Sequence, residues 1–390
     1  MKEELRRKIE GSINVILPEL VDIAQSLHDN PEIGGEEKMT SSMLIEWLEV
    51  HGFDVQREYC DIPYAYRAVC DSGLPGPTIG LFAEYDALPE IGHGCGHNLI
   101  CTTSMGALWA IASVLDEIGG KVILFGTPGE ENLQSKTIMA AKGAFGEIDV
   151  AMMVHPTPDR TAIGGRTLAI ESVGVDFFGK SSHAGSAPEE GINALDAACT
   201  FYQMVGIQKQ YYPQTSVYGV FLDGGKAPNI IPDFASLHYL VRAWDMGTIV
   251  RLKEMLANCA EAAAKMTGCT TKIHPVETNN AAMLSNQIMS KLFADNLVGL
   301  GASDARFADV KASTDMGDVS QIVPSIHPWV HLESPNGATL HSKLFADATV
   351  LPAAAAYLQQ SAAALALTAT DIMSEPELLK QIQAEFESKQ

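Results

Sequence analysis

Basic side chains are scarce in this chain. Its 390 residues carry 26 Lys and Arg against 48 Asp and Glu, a formal charge of −22. A surface so short of cations repels phosphate backbones and anionic headgroups, so nucleic acid and membrane surfaces are excluded as partners. Long uninterrupted apolar runs are also missing. The alanine-rich stretch 344–369 is interrupted by Asp347, Pro352, Gln359 and Gln360 too early for a bilayer span, and a buried helix is expected there. The amino-terminal segment lacks the compact apolar core of a secretory signal. Instead Leu5, Ile9, Ile13, Leu17, Leu20, Ala24 and Leu27 recur at helical spacing among charges. No paired cysteine framework exists either. Seven cysteines, an odd number scattered from Cys60 to Cys269, suit a reducing cytoplasm.

What is present is a globular composition, 46% hydrophobic and 19% charged, in a chain long enough for two domains. From residue 36 to about 155, helical patterns alternate with the apolar runs TIGLFAEY, KVILFGTPGEE and DVAMMVHP, each ending in polar or glycine-rich residues. That rhythm predicts an α/β domain, with its polar groups at strand carboxyl ends where open sheets hold ligands. Between 168 and 280 the order becomes β-α-β-β-α-β, from RTLAIESVGVDFFGK through APEEGINALDAACTFYQMV, TSVYGVFLDG, FASLHYLVRAW and GTIVRLKEMLANCAEAAAKM to TTKIHPVE. This is the ferredoxin-like α+β pattern. The expected architecture is an α/β domain with a central sheet, residues 1–167 and 281–390, into which a ferredoxin-like domain at 168–280 is inserted.

The stretch EYDALPEIGHGCGHNLI, residues 84–100, concentrates reactive groups. Cys95 and His97 flank Gly96 in a turn whose glycines let the backbone bring both side chains to one point. Thiolate and imidazole together favour zinc or a similar first-row ion over calcium or magnesium. HGCGH alone fits equally a buried cysteine among turn histidines. Two further strand ends carry compatible groups: Glu130 and Glu131 follow KVILF, and His155 follows DVAMMV. Each alone is an ordinary turn residue. Adjacent carboxylates also allow one to bind metal while its neighbour moves protons.

Taken with LHDNPEIGGEE, TPGEE, SSHAGSAPEEGINALDA, APNIIPD and GATLHS, in this order along nearly the whole chain, these motifs resemble a known family. It is the dinuclear metal amidohydrolase and peptidase family that includes aminoacylase, succinyl-diaminopimelate desuccinylase and the indole-acetyl-amino-acid hydrolases. The chain most resembles the amidohydrolase and Xaa-Arg dipeptidase-like branch. The resemblance implies two divalent metal ions, zinc as first choice and manganese as second. Cys95 would bridge them as a thiolate, Glu131 and His341 completing one site, His97 and His155 the other. Glu130 would be general base and then acid. The inserted domain would serve as lid and dimerisation domain of a homodimer or larger homo-oligomer, its His183 reaching a partner subunit's active site to help hold the oxyanion. Asn229 and Arg242 match positions that contact substrate, Arg242 through a carboxylate. The implied activity is hydrolysis of the amide or peptide bond of a dipeptide, N-acyl amino acid or small peptide.

By their own local sequence, His341 also fits a helix start, His183 a capping loop and Arg242 a strand ion pair. His93 is placed outside the ligand set, and Glu84 and Asp86 either orient ligands or shape the turn. The chain departs from the pattern at Glu84, where the wider family has histidine, and at Asn98, where many relatives in this branch have aspartate. Two rival readings are a non-catalytic metal-binding homologue and a Cys95 nucleophile with His97 as base.

Overall fold

Strand Thr78–Ala83 reads TIGLFA with no polar alternation because both of its faces are covered. In the computed structural model, which describes residues 3–276, 279–302 and 305–389, Ile79, Leu81 and Ala83 join one apolar core. Phe82 faces another with Ile123, Phe125, Phe145 and Met316. The strand lies within a six-stranded sheet ordered Asp54–Arg57, Tyr66–Asp71, Lys121–Gly126, Thr78–Ala83, Val150–Met152, Ser325–Ile326. The last four strands pair in parallel, and Tyr66–Asp71 is antiparallel to both of its neighbours.

The chain divides into two units, Met1–Arg166 with Met283–Val310 and Asp315–Gln390, and Thr167–Ala282 with Lys311–Thr314. In the first, helix Glu3–Asp29 buries Leu5, Ile9, Ile13, Ile16, Leu20, Ile23, Ala24 and Leu27, while Leu17 is only partly covered. Helix His97–Ala112 follows the strand Thr78–Ala83 and is buried almost all round. The alanine-rich stretch forms two helices, Lys343–Ala348 and Pro352–Ser374, the second opened by its proline. Among the described residues no helix is long and apolar enough to cross a membrane. A smaller sheet, ordered Arg306–Ala308, Ala162–Gly164, Trp329–His331, His155–Thr157, completes this unit.

The second unit is an antiparallel sheet ordered Ser216–Asp223, Phe234–Ala243, Ala169–Phe178, Thr270–Pro275. Helices Ala194–Gln208 and Met246–Thr267 pack with it around Val175, Phe177, Phe201, Leu237 and Leu252. Both helices start on capping side chains: Asn193 accepts from Leu195 N at 3.0 Å and Asp245 from Thr248 N at 2.7 Å. The strand order is ferredoxin-like. Leu168 N donates to Ala312 O at 2.8 Å, which ties Lys311–Thr314 to this unit from far along the chain.

Candidate metal centre

Gly96 sits at φ +82°, and a Cβ there would fall 2.4 Å from Pro156 Cγ, so only glycine fits between Cys95 and the helix that begins at His97. The turn delivers both side chains into one buried space. His97 Nδ1 lies 2.8 Å from Asp86 Oδ1 and 3.0 Å from the Asp86 carbonyl oxygen. Both are acceptors, so Nδ1 carries a proton and Nε2 faces the cluster. His155 is set the same way: Nδ1 is 2.6 Å from the Pro156 carbonyl oxygen, and Nε2 is 3.4 Å from Cys95 Sγ. Its ring stacks on Trp329 with centroids 3.9 Å apart. The second oxygen of Asp86 accepts from Glu131 N at 3.0 Å, so one carboxylate orients both His97 and the glutamate turn.

His341 enters from a left-handed residue, φ +62°, a conformation that costs a non-glycine residue roughly 1–2 kcal/mol. Its N–H donates to Gly94 O at 2.8 Å, and its Nε2 lies 3.3 Å from Glu131 Oε1. The ligand-type atoms of Cys95, His97 and His155 all lie within 4.8 Å of one another, as do those of Cys95, Glu131 and His341, and those of His97, Glu130 and Glu131. Cys95 belongs to two of these sets.

Burial pushes the Cys95 thiol above its usual range. Glu131, although buried, is held below the ordinary carboxylate range by the His341 imidazole beside it. Its neighbour goes the other way: burial, then Glu84, Asp315 and Glu131, drive Glu130 well up. A buried thiol and carboxylate whose charged forms are expensive are what a bound cation would relieve. His97 Nε2 is buried and makes no hydrogen bond. The donor set of sulfur, imidazole and carboxylate therefore fits a pair of zinc-like ions.

A second buried cluster adjoins the first. The Lys136 side chain has no exposed surface; its Nζ lies 2.6 Å from Glu84 Oε1 and 2.5 Å from Asp315 Oδ1, and its backbone N donates to Asp315 Oδ2 at 3.0 Å. Against the cost of burial, Asp315 and Glu84 hold Lys136 protonated. Glu84 also approaches His97, Oε2 to Nε2 at 3.5 Å. Sequence reasoning missed Lys136 and Asp315, whose contacts span 52 and 179 residues. It also missed His327, a buried histidine in the run SIHPWVHLES whose ring lies 5.7 Å from that of His155.

His93 is buried, joins none of the ligand sets, and is pushed down to about 3 by burial. Asn98 donates to Ala24 O at 3.1 Å and to Thr349 Oγ1 at 3.0 Å, a core link between helices. In the second unit, exposed His183 accepts at Nδ1 from Gly185 N at 3.1 Å and Ser186 N at 3.2 Å, which leaves its proton on Nε2 as a free donor. Asn229 is exposed, and its carbonyl oxygen accepts from Ala184 N at 3.0 Å. Arg242 is half-buried on strand Phe234–Ala243, in register with Ser216 and Ile170.

Residues 169–267 match the family model described as the peptidase dimerisation domain. The human Xaa-Arg dipeptidase is 34% identical over 99% of this chain and 93% of its own length. The chain belongs to the M20 family. A solved structure from methicillin-resistant Staphylococcus aureus aligns with the M20 chain at TM-score 0.81 over 94% of it and 100% of its own length, with 20% identity. A Bacillus subtilis protein described as a dinuclear metal-binding peptidase from the M20 family aligns at TM-score 0.70, over 92% and 99%, with 18% identity. At such identities the likeness speaks for the fold, an α/β catalytic domain carrying an inserted dimerisation domain. As an M20 member the chain is a metal-dependent hydrolase of amide or peptide bonds.

Proposed function

We propose that this enzyme hydrolyses dipeptides or related N-acyl amino acids and small peptides. Two divalent ions, zinc before manganese, would be held by Cys95, His97 and His155 and by Cys95, Glu131 and His341. The observation that carries this reading is the membership of Cys95 in two ligand sets that differ in every other residue. When bound, such ions polarise a carbonyl and lower the pKa of water. Glu130 takes the proton of the attacking water and passes it to the leaving amine. Its raised affinity for protons suits it to hold one between the two events. Asp86 keeps Nε2 of His97 turned inward. His183 offers its Nε2 proton to the developing oxyanion, Arg242 pairs with a substrate carboxylate, and Asn229 contacts the substrate.

Likeness to the Xaa-Arg dipeptidase supports including dipeptides among the substrates to be tested. A homodimer is supported by the edge strand Ser216–Asp223, where Tyr218, Val220 and Leu222 are 69%, 59% and 62% exposed beside unpaired backbone. In that dimer His183 would serve the partner's metal centre. A cytoplasmic setting suits the seven free cysteines.

Glu130→Gln tests the assignment. Turnover should fall by roughly 10²–10⁴-fold while metal content, counted by elemental analysis, stays at the wild-type level. Metal loss equal to that of Glu131→Gln would reverse the roles of the pair. Activity that survives complete chelation would favour Cys95 as a nucleophile instead.

A further inference from the structure

Two buried histidines, His93 and His327, have no part in this scheme, and of the two the ring of His327 lies beside that of His155. His327 is 6% exposed, and neither of its ring nitrogens has a hydrogen-bond partner. Its ring lies 5.7 Å from that of His155 and 5.4 Å from that of Trp329, which itself stacks on His155. It thus borders the candidate metal cluster, yet it joins none of the ligand sets among the described residues. Buried polar atoms in native folds are nearly always satisfied, and leaving both nitrogens of an imidazole bare is expensive unless a ligand or water meets them. His155, equally buried, shows the contrast, because both of its nitrogens have partners.

The geometry points to His327 as a substrate-binding residue that meets the peptide unit of the substrate beside His155. In either neutral tautomer the ring offers one N–H and one lone pair. An amide offers the matching acceptor oxygen and N–H, so one histidine can satisfy both. A side chain held bare for a ligand is also one that the free fold would be more stable without. The inference rests on the amide-hydrolase reading.

The experiment has two arms. His327→Leu in the substrate-free protein should raise the melting temperature by a few degrees, since an apolar group of similar size replaces an unsatisfied one. A fall would assign His327 a structural role and overturn the proposal. In the second arm, zinc-loaded Glu130→Gln protein is titrated calorimetrically with an Xaa-Arg dipeptide and an N-acyl amino acid, with and without a second change at His327. His327→Ala should weaken binding about tenfold, the worth of one buried hydrogen bond, and His327→Gln, which restores a donor and an acceptor, should recover part of it. Zinc content should stay constant throughout. Unchanged affinity, or zinc lost from the His327 variants, would overturn the proposal while leaving the functional reading in place. If no amide binds the Glu130→Gln parent and none is hydrolysed by the wild type, the functional reading falls, and the role of His327 falls with it.

Discussion

Around Lys136, two carboxylates share one ammonium, Glu84 at 2.6 Å and Asp315 at 2.5 Å. Around Cys95, a thiol, three imidazoles and a carboxylate converge. The two clusters are similarly buried and nearly touch, Glu84 reaching to 3.5 Å from His97. Burial therefore does not separate a structural cluster from a metal centre. The charge complement does: the Lys136 cluster holds a lysine ammonium between Glu84 and Asp315, whereas the Cys95 cluster is built from sulfur, imidazole and carboxylate groups of the kind that bind metal. Fixed tautomers point the same way, because Asp86 and the Pro156 carbonyl hold the protons of His97 and His155 on Nδ1 and leave both Nε2 atoms turned inward.

The largest effect should come from removing the internal cation. Lys136→Met strands Glu84 and Asp315 beside Glu130, and losing one partner of a buried ion pair costs about 3–5 kcal/mol. Sharply reduced soluble yield and melting temperature are expected, and wild-type stability would erase the distinction between the clusters. Cys95→Ser acts on the other cluster. Because Cys95 belongs to two ligand sets, total bound metal should drop further than in His155→Ala, and elemental analysis after equilibration against one chelator concentration decides it. Asp86→Asn should weaken metal affinity about 10–100-fold through the orientation of His97 and the Glu131 turn. Competition with a chromophoric chelator reads that loss; undiminished affinity would make Asp86 a turn residue only.

The smallest effect concerns a buried carboxylate outside both clusters. Glu37 has no exposed surface and accepts from Gly35 N at 2.7 Å, and burial pushes its carboxyl from 4.5 to about 7. Since the folded pKa is the higher one, the folded state binds more protons. Its contribution is full below about pH 4.5 and is lost as pH rises to about 7. Glu37→Gln should flatten the stability profile across that window and stabilise the protein at pH 8 by about 1–3 kcal/mol. Parallel profiles for variant and wild type between pH 5 and 8 would remove Glu37 as the source.

Much of this molecule follows from local pattern. The order β-α-β-β-α-β is readable because each element of the second unit ends at its own turn or cap, such as Asn193 and Asp245. The unbroken apolar strands signal a sheet covered on both faces, which the two cores on either side of Thr78–Ala83 display. HGCGH and TPGEE mark themselves because the groups that converge there stand only a residue or so apart. His341 has no such neighbour: it reaches Glu131 across the fold from a left-handed backbone, and family resemblance rather than local pattern singled it out.

By itself, then, the amino-acid sequence determined the strand and helix rhythm, the glycine turn at Gly96 and the residue types able to bind metal, since all of these are set by side chains within a few positions. Only the tertiary structure decided that Glu84 answers to Lys136, that Asp86 serves both His97 and Glu131, and that His327 is left bare beside His155. Those outcomes depend on contacts such as the 179-residue span from Lys136 to Asp315, which exist only once the sheet has folded and excluded the water that would otherwise satisfy each group.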